Sequence, residues 1–437
     1  MERVVNLLRL VGSLLLALAI VLGSFFGRLL LVLLAIVPTW IGRLIEHLRP
    51  APPAPGARGG RRPRILFVGG TINHTTQVQQ IAAALPECEP AFTWYYCDGL
   101  LEVLRRLGWL ESTALGNKLR TRCLAYLKAQ RLPVDLGGLN GPYDLCVTCS
   151  DLAIPRNVRG GAVVLVQEGM TDPEDVIFRI IKALRLPPWL AATSSTTGLS
   201  HAYDRFCLSS DGYRRLFIRK GVPGEKIVVT GIPNFDDCKR FHDNAFPHRG
   251  YVLVCSSDIR ETARWEDRPR FIRQVIATAA RRPIIWKLHP NENAVRARAE
   301  LARHAPGALV LDSGNTEEMI ANCAVLVTQF SSTAYVGLAL GKEVHSYFDV
   351  EELARLCPIQ NSSTSAQRIA EVCRELLGLP QPATLEANTV TGAARSPASS
   401  SIRAPWDTCS RSVWGSQRTR GCGAGPRACS SSSATVS

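Results

Sequence analysis

Motifs that would name a chemistry outright are missing from this chain. The 14 cysteines follow no metal-ligand or disulfide spacing. Cys146-Val-Thr-Cys149 is an isolated C-x-x-C, without the second pair that a zinc site needs or the thioredoxin-like setting that a redox motif needs. Unpaired cysteines in apolar surroundings belong to a reducing compartment, which puts the folded body in the cytoplasm. The segments holding the polar site candidates contain no D-x-D motif, so no metal and no cofactor are expected. Gly337-Leu-Ala-Leu-Gly341-Lys342 has the residues of a phosphate loop but not its G-x-x-x-x-G-K-[ST] spacing. Gly341 reads instead as a helix C-cap.

The middle of the chain also lacks a charge excess. Net charge is +14, but residues 1–64 hold nine Arg against Glu2 and Glu46, and residues 396–437 hold five Arg against Asp407. Only +3 remains for the 331 residues between. A basic groove for a polyanion is therefore not indicated, and nucleic acid is excluded as the expected partner.

What is present suits a globular protein: 437 residues, 46% hydrophobic and 20% charged, enough for two domains of average size with extensions. Residues 10–41 form an apolar run interrupted only by Arg28. It is too long for a signal-peptide core. It suits one tilted spanning helix, or a shallow hairpin turning near Gly23–Arg28. Six Arg follow it (43, 49, 58, 61, 62 and 64) and two precede it, which orients the body to the cytoplasmic side of the inner membrane. We assign residues 1–49 to a membrane segment and 50–63 to a Pro/Gly/Arg linker.

From Arg64 the pattern becomes strand–helix alternation, which indicates parallel sheets with sites at the strands' C-terminal ends. "RILFVGG", "FTWYYC", "YDLCVTCS", "GGAVVLVQEGM", "RFCLSS" and "KIVVTGIP" read as strands, with helices near 100–108 and 117–130. The pattern restarts at "GYVLVCSS" and continues through "RPIIWKLHPN", "ALVLD", "CAVLVTQ" and "EVHSYF" to a helix at 365–377. The expected fold is α/β, with two Rossmann-like domains facing a cleft: 64–235 on the acceptor side and 236–380 binding a nucleotide. Residues 381–437 lack periodicity and read as a disordered tail.

The strand "AVLVTQ" delivers Ser331, Ser332 and Thr333 to a helix start. One hydroxyl suffices for capping, whereas three at a sheet's C-terminal edge suit a phosphate. His289 follows another strand, ahead of Asn291, and can donate to a phosphate or protonate a leaving group. Asn315, Thr316, Glu317 and Glu318 open a further helix; capping explains much of that pattern, and Glu318 is our candidate for a ribose hydroxyl. In the first half, Glu168 ends a strand before Gly169, where a carboxylate can deprotonate an acceptor hydroxyl; a solvated turn acid is the alternative. Gly69 and Gly70 make a tight turn that a substrate can approach, with His74 nearby, and Ser150 and Asp151 end another strand.

Together these segments resemble the CDP-glycerol glycerophosphotransferase-like family of GT-B transferases, related to teichoic-acid and capsule polymer enzymes. The resemblance is strongest over about residues 225–375, in "VVTGIPNFD", "KLHPN" and "CAVLVTQFSSTAYVGLALGKEVHSYFD". It implies that His289, Ser331 and Ser332 grip the diphosphate of an activated donor. Two positions depart from the family pattern. Gln167-Glu168-Gly169 stands where the family has a histidine as base, and Gln329 replaces the usual acid before the aromatic residue and two serines.

The expected activity is a membrane-associated transferase of cell-envelope biogenesis. It moves a sugar or polyol phosphate from a nucleotide-activated donor to a lipid-linked or polysaccharide acceptor. Glu168 and His289 are the catalytic candidates. A UDP-N-acetylglucosamine 2-epimerase-like enzyme and a non-catalytic nucleotide-binding scaffold are the alternatives.

Overall fold

A computed structural model describes residues 61–381, apart from 109, 112, 192 and 262–265. The membrane segment, nearly all of the linker and all but the first residue of the tail expected from the sequence lie outside the described residues. No helix among the described residues is long and apolar enough to cross a membrane.

The first sheet consists of β1 (Arg64–Val68), β2 (Glu89–Thr93), β3 (Leu145–Thr148), β4 (Ala162–Val166), β5 (Arg205–Leu208) and β6 (Ile227–Val229). All pairs are parallel, in the order β2-β1-β3-β4-β5-β6. Every position of β3 is buried, as continuous apolar runs require when helices cover both faces. The strand expected over Phe92–Cys97 stops at Thr93. Its register with β1 runs from Arg64↔Glu89 to Val68↔Thr93, and β1 itself gives way to Gly69-Gly70. Around this sheet lie α1 (Ile72–Ala83), α2 (Gly99–Arg106), α3 (Asn117–Ala129), α4 (Val176–Leu184) and α5 (Asp211–Lys220).

The second sheet, β7 (Val252–Cys255), β8 (Ile284–Lys287), β9 (Leu309–Leu311), β10 (Val325–Thr328) and β11 (Glu343–His345), is also parallel, in the order β11-β10-β7-β8-β9. Its helices are α6 (Arg268–Ala279), α7 (Ala294–His304), α8 (Thr316–Asn322), α9 (Thr333–Ala339) and α10 (Val350–Leu356), followed by α11 (Ser365–Leu377). Local chemistry sets the starts: Asp175, Ser210, Asn293 and Asp349 each accept a first-turn N–H of α4, α5, α7 and α10. Two parallel α/β sheets are the arrangement a two-domain GT-B fold requires.

One apolar cluster runs through both halves, each of which also has a cluster of its own, and two adjacent passages join them. Gly231 sits at φ +78°, where an added Cβ would lie 2.2 Å from Ser365 Oγ. The Asp236 carboxylate accepts the Ser365 N–H at 2.8 Å and its hydroxyl at 2.7 Å, which starts α11 at the junction. The sequence groups α11 with the second half, yet it packs against α1 of the first. From there Arg374 Nε donates to Glu87 Oε1 (2.6 Å) and its Nη2 to the Ala84 carbonyl (2.7 Å). Arg62 Nε reaches the Glu87 carbonyl at 3.1 Å. The turn Ala84–Glu87 is thus held by both ends of the described chain.

Candidate functional site

Strand order reverses between β1 and β3 in the first sheet and between β7 and β10 in the second. Ligands of open α/β sheets bind outside the strands' carboxyl ends at such points. A cavity of about 250 Å³ lies at the strands' carboxyl ends, lined from the first half by Asn73, Glu168 and Gly169 and from the second by Glu317, Ser332 and Thr333. Phe235, Phe330 and Phe348 supply apolar wall. The approach is close: a Cβ on Gly169 would stand 3.7 Å from Ser332 Cβ and 3.6 Å from the Phe235 ring.

Glu168 is held on both oxygens. His74, in the first turn of α1, brings Nε2 to 2.8 Å from Oε2. Thr71, the N-cap of that helix, donates its hydroxyl to Oε1 at 3.3 Å while accepting the His74 N–H at 3.2 Å. Because an ionised carboxylate only accepts, Nε2 is the protonated imidazole nitrogen of this pair. Burial pushes the Glu168 carboxyl up, but the His74 charge and hydrogen bond, with Thr71, outweigh it and hold the pKa below the ordinary value. Its side chain remains 38% exposed, open to the cavity. The neighbouring Gln167 fixes the loop: its Nε2 donates to the Gly169 carbonyl (2.6 Å), and its Oε1 accepts the Ser209 N–H (3.0 Å).

Gly69 and Gly70 are required by the protein's own packing. A Cβ at Gly69 would meet Thr75 Oγ1 at 2.8 Å and Cys123 Sγ at 3.0 Å; at Gly70 it would meet His74 Nδ1 at 2.8 Å. Asp151 turns inward. It is 1% exposed and accepts the backbone N–H groups of Gly198 and Ser200, and burial raises its pKa. The Ser150 hydroxyl donates to the Tyr95 hydroxyl at 3.2 Å. Neither residue lines the cavity.

In the second half, Ser331 Oγ accepts from Thr333 N–H (3.3 Å) and from the Thr333 hydroxyl (2.9 Å), while Ser332 makes no side-chain cap. The helix they open has only seven residues, so the hydroxyls, rather than a long helix dipole, are what this segment presents. Gln329 is fully buried. Its Oε1 accepts the Ser257 N–H (3.2 Å) and its Nε2 donates to Glu266 Oε1 (2.5 Å). An acid at this position would lack the donor and confront a second carboxylate.

His289 and Asn291 stand outside the cavity. The Asn291 N–H donates to His289 Nδ1 at 3.2 Å, so this nitrogen is the acceptor and Nε2 carries the proton; Asp258 Oδ2 is farther from Nδ1, at 3.8 Å. Asn291 Oδ1 accepts from Arg122 of the first half at 3.2 Å. Glu318 is paired with the Asn315 side chain at 2.9 Å, and the cavity is lined by Glu317 instead. Adjacent helix positions differ by about 100° of rotation, and composition does not say which one faces inward. The aromatic wall carried no sequence signal beyond the apolar character of its residues. Among the described residues, no cluster of three His, Cys, Asp or Glu could hold a metal ion.

No family model matches the chain, and no curated protein matches its sequence. Solved structures similar to it include the MnaA–UDP co-structure from S. aureus, at 11% identity and TM-score 0.49, covering 73% of this chain and 98% of that one. A TagF wall teichoic acid polymerase variant soaked with CDPG is similar at 9% identity and TM-score 0.43, covering 72% and 88%. The Neisseria meningitidis UDP-GlcNAc 2-epimerase bound to UDP-GlcNAc is similar at 11% identity and TM-score 0.44, covering 71% and 100%. Both kinds of protein named from the sequence, teichoic-acid enzymes and 2-epimerases, are represented among these structures.

Proposed function

We propose that this chain is a membrane-associated transferase that moves a sugar or polyol phosphate from a nucleotide-activated donor to a hydroxyl of a lipid-linked or polymer acceptor. One observation carries the reading. The Glu168 carboxylate, fixed by His74 and Thr71, opens into the same cavity as the Ser332 and Thr333 hydroxyls of the other half.

In this scheme Glu168 is ionised at neutral pH and accepts the acceptor's hydroxyl proton as the new bond forms. The acceptor oxygen bonds to the transferred group, and the bond from that group to the nucleotide's phosphate oxygen breaks. The departing phosphate keeps the electron pair, and hydroxyls already in place stabilise it. His74 holds the carboxylate in position and stays on it as the proton arrives. The apolar run 10–41 and its basic C-terminal flank support an inner-membrane location with the body in the cytoplasm.

The test is melting of the full-length chain with CDP, UDP, GDP, ADP and dTDP, beside a Ser332→Ala/Thr333→Ala variant. A ligand at a hundred times its Kd adds about 2.7 kcal/mol, so one diphosphate should raise the melting temperature of wild type and not of the variant. No shift with any nucleotide would overturn the donor assignment.

A further inference from the structure

The C-terminal edge of the first sheet carries an arginine that the scheme above does not use. Arg120, on α3, lays its guanidinium 4.3 Å from the centroid of the Trp94 ring, just beyond β2. Arg120 Nε and the Trp94 indole Nε1 are both buried and have no hydrogen-bond partner among the described residues. Buried polar groups are normally paired; Arg268 over Trp286 also leaves both atoms without a hydrogen bond, but there Glu266 and Glu292 lie against the guanidinium.

The carboxylates nearby are engaged elsewhere. Both Glu102 oxygens accept from Arg105, at 2.7 Å each, and Arg106 adds a third bond. Glu111 accepts from the Asn117 backbone N–H and side-chain amide. Burial, with repulsion from Arg105, lowers the Arg120 pKa against the pull of Glu102 and Glu111. Residues 99–122 hold five basic side chains against these two glutamates, a +3 excess equal to that of the whole span 65–395.

The helix that carries this cation reaches the second half. Two residues on, Arg122 touches Asn291 of the second half. Three residues on, Cys123 Sγ lies 3.3 Å from Thr75 Oγ1, next to His74, about one helical turn from Arg120.

We propose that Arg120, stacked on Trp94, binds a phosphate or phosphodiester group of the acceptor. Stacking fixes the plane of the guanidinium and leaves its outer N–H fork to meet two phosphate oxygens at once. The acceptor role rests on the transferase reading; anion binding at Arg120 does not. The group can belong to a lipid headgroup or to a soluble phosphorylated carbohydrate.

Full-length protein in neutral detergent micelles is titrated with farnesyl monophosphate, farnesol and inorganic phosphate. Wild type is compared with Arg120→Gln and Arg120→Lys, and melting temperatures are recorded in parallel. Farnesyl monophosphate should bind wild type about tenfold or more tightly than Arg120→Gln, the scale of a lost charge-assisted bond, with farnesol indifferent to the change. Inorganic phosphate binding with the same dependence would assign a soluble source; dependence seen only with the farnesyl compound would assign a lipid. Equal affinities in folded wild type and Arg120→Gln would overturn the site and leave the stack as packing, as would failure of wild type to bind either phosphate. Should Arg120→Gln fail to fold, Arg120→Lys decides: it keeps the charge but loses the fork, so undiminished affinity overturns the proposal. Wild type is also titrated with UDP and CDP. Phosphate binding without nucleotide binding would remove the transferase reading and leave the Arg120 site standing.

Discussion

Tyr213 of α5 and Tyr335 of α9 bring their hydroxyls to 2.5 Å across the two halves, with both rings buried. The rings meet edge to face at 6.3 Å, and Tyr335 also stands edge-on to Phe235 at 6.0 Å. Burial raises both pKa values, so both hydroxyls stay protonated. Tyr335 sits in the first turn after Ser332, and this contact therefore positions the second half's hydroxyls against the first. Tyr335→Phe should lower stability by about 1 kcal/mol in urea unfolding, the net worth of one hydrogen bond. On the proposed transferase reading, it should also raise KM for the donor more than it lowers kcat. An unchanged KM would mean that the pair only fills space.

His74 and Glu168 make a pH-dependent prediction. Removing the imidazole leaves burial, which raises the Glu168 pKa, opposed only by Thr71. The acid limb of kcat/KM should therefore move to higher pH in His74→Gln, while Glu168→Gln should lose about 10²–10⁴-fold in rate. The pH–rate profile checks both. An acid limb that stays in place in His74→Gln would separate the pair.

Gln329 matches Glu266, whose pKa burial raises against the pull of Arg268, Gln329 and Arg260. Gln329→Glu would remove a donor and add a charge beside it, raising the folded-state pKa of the acid pair further. Where a carboxyl's folded pKa exceeds its unfolded value, the folded state binds the extra proton, so stability falls as pH rises between the two. The variant should lose about 3 kcal/mol above that window, the scale of an uncompensated buried charge, and recover as pH falls through it. Urea unfolding at several pH values reads this directly. A pH-independent deficit would point to packing instead.

Two glycines should respond oppositely to alanine. At Gly169 the added methyl makes ordinary contacts, no closer than 3.6 Å, so Gly169→Ala should fold with stability within about 1 kcal/mol of wild type. At Gly212 the same methyl would lie 2.1 Å from the Arg355 carbonyl oxygen of α10, a backbone atom with no room to yield. Gly212→Ala should cost about 2–3 kcal/mol by forcing the halves apart there. Comparable melting temperatures for the two variants would contradict this view of the contact.

The sheets were legible because parallel strands buried on both faces read as unbroken apolar runs, as in "AVVLV" and "VLVT". Strand ends mark the cleft in any such fold, which is why Glu168, Ser332 and Thr333 could be named from sequence and are found around one cavity. Pairings were not legible. His74 meets Glu168 only because β3 alone separates β1 from β4 in the sheet, an ordering that no local pattern encodes. Asp151 follows its strand as Glu168 follows another, but the loop at Gly198–Ser200 supplies the N–H groups that draw it inward. Gln329 looked like a lost acid until Glu266, far off in the chain, was found against it. The orientation of a side chain at a strand end is set by whatever distant segment offers the better partner.

The turn Ala84–Glu87, gripped by Arg62 from one end of the described chain and by Arg374 near the other, has a mechanical consequence. Tension between residues 61 and 381 would load this clamp and the contact of α11 with α1 before it reached the cleft. Arg62 and Arg374, far apart in sequence, therefore bear on one turn at the end of α1, the helix whose first turn carries His74 against Glu168.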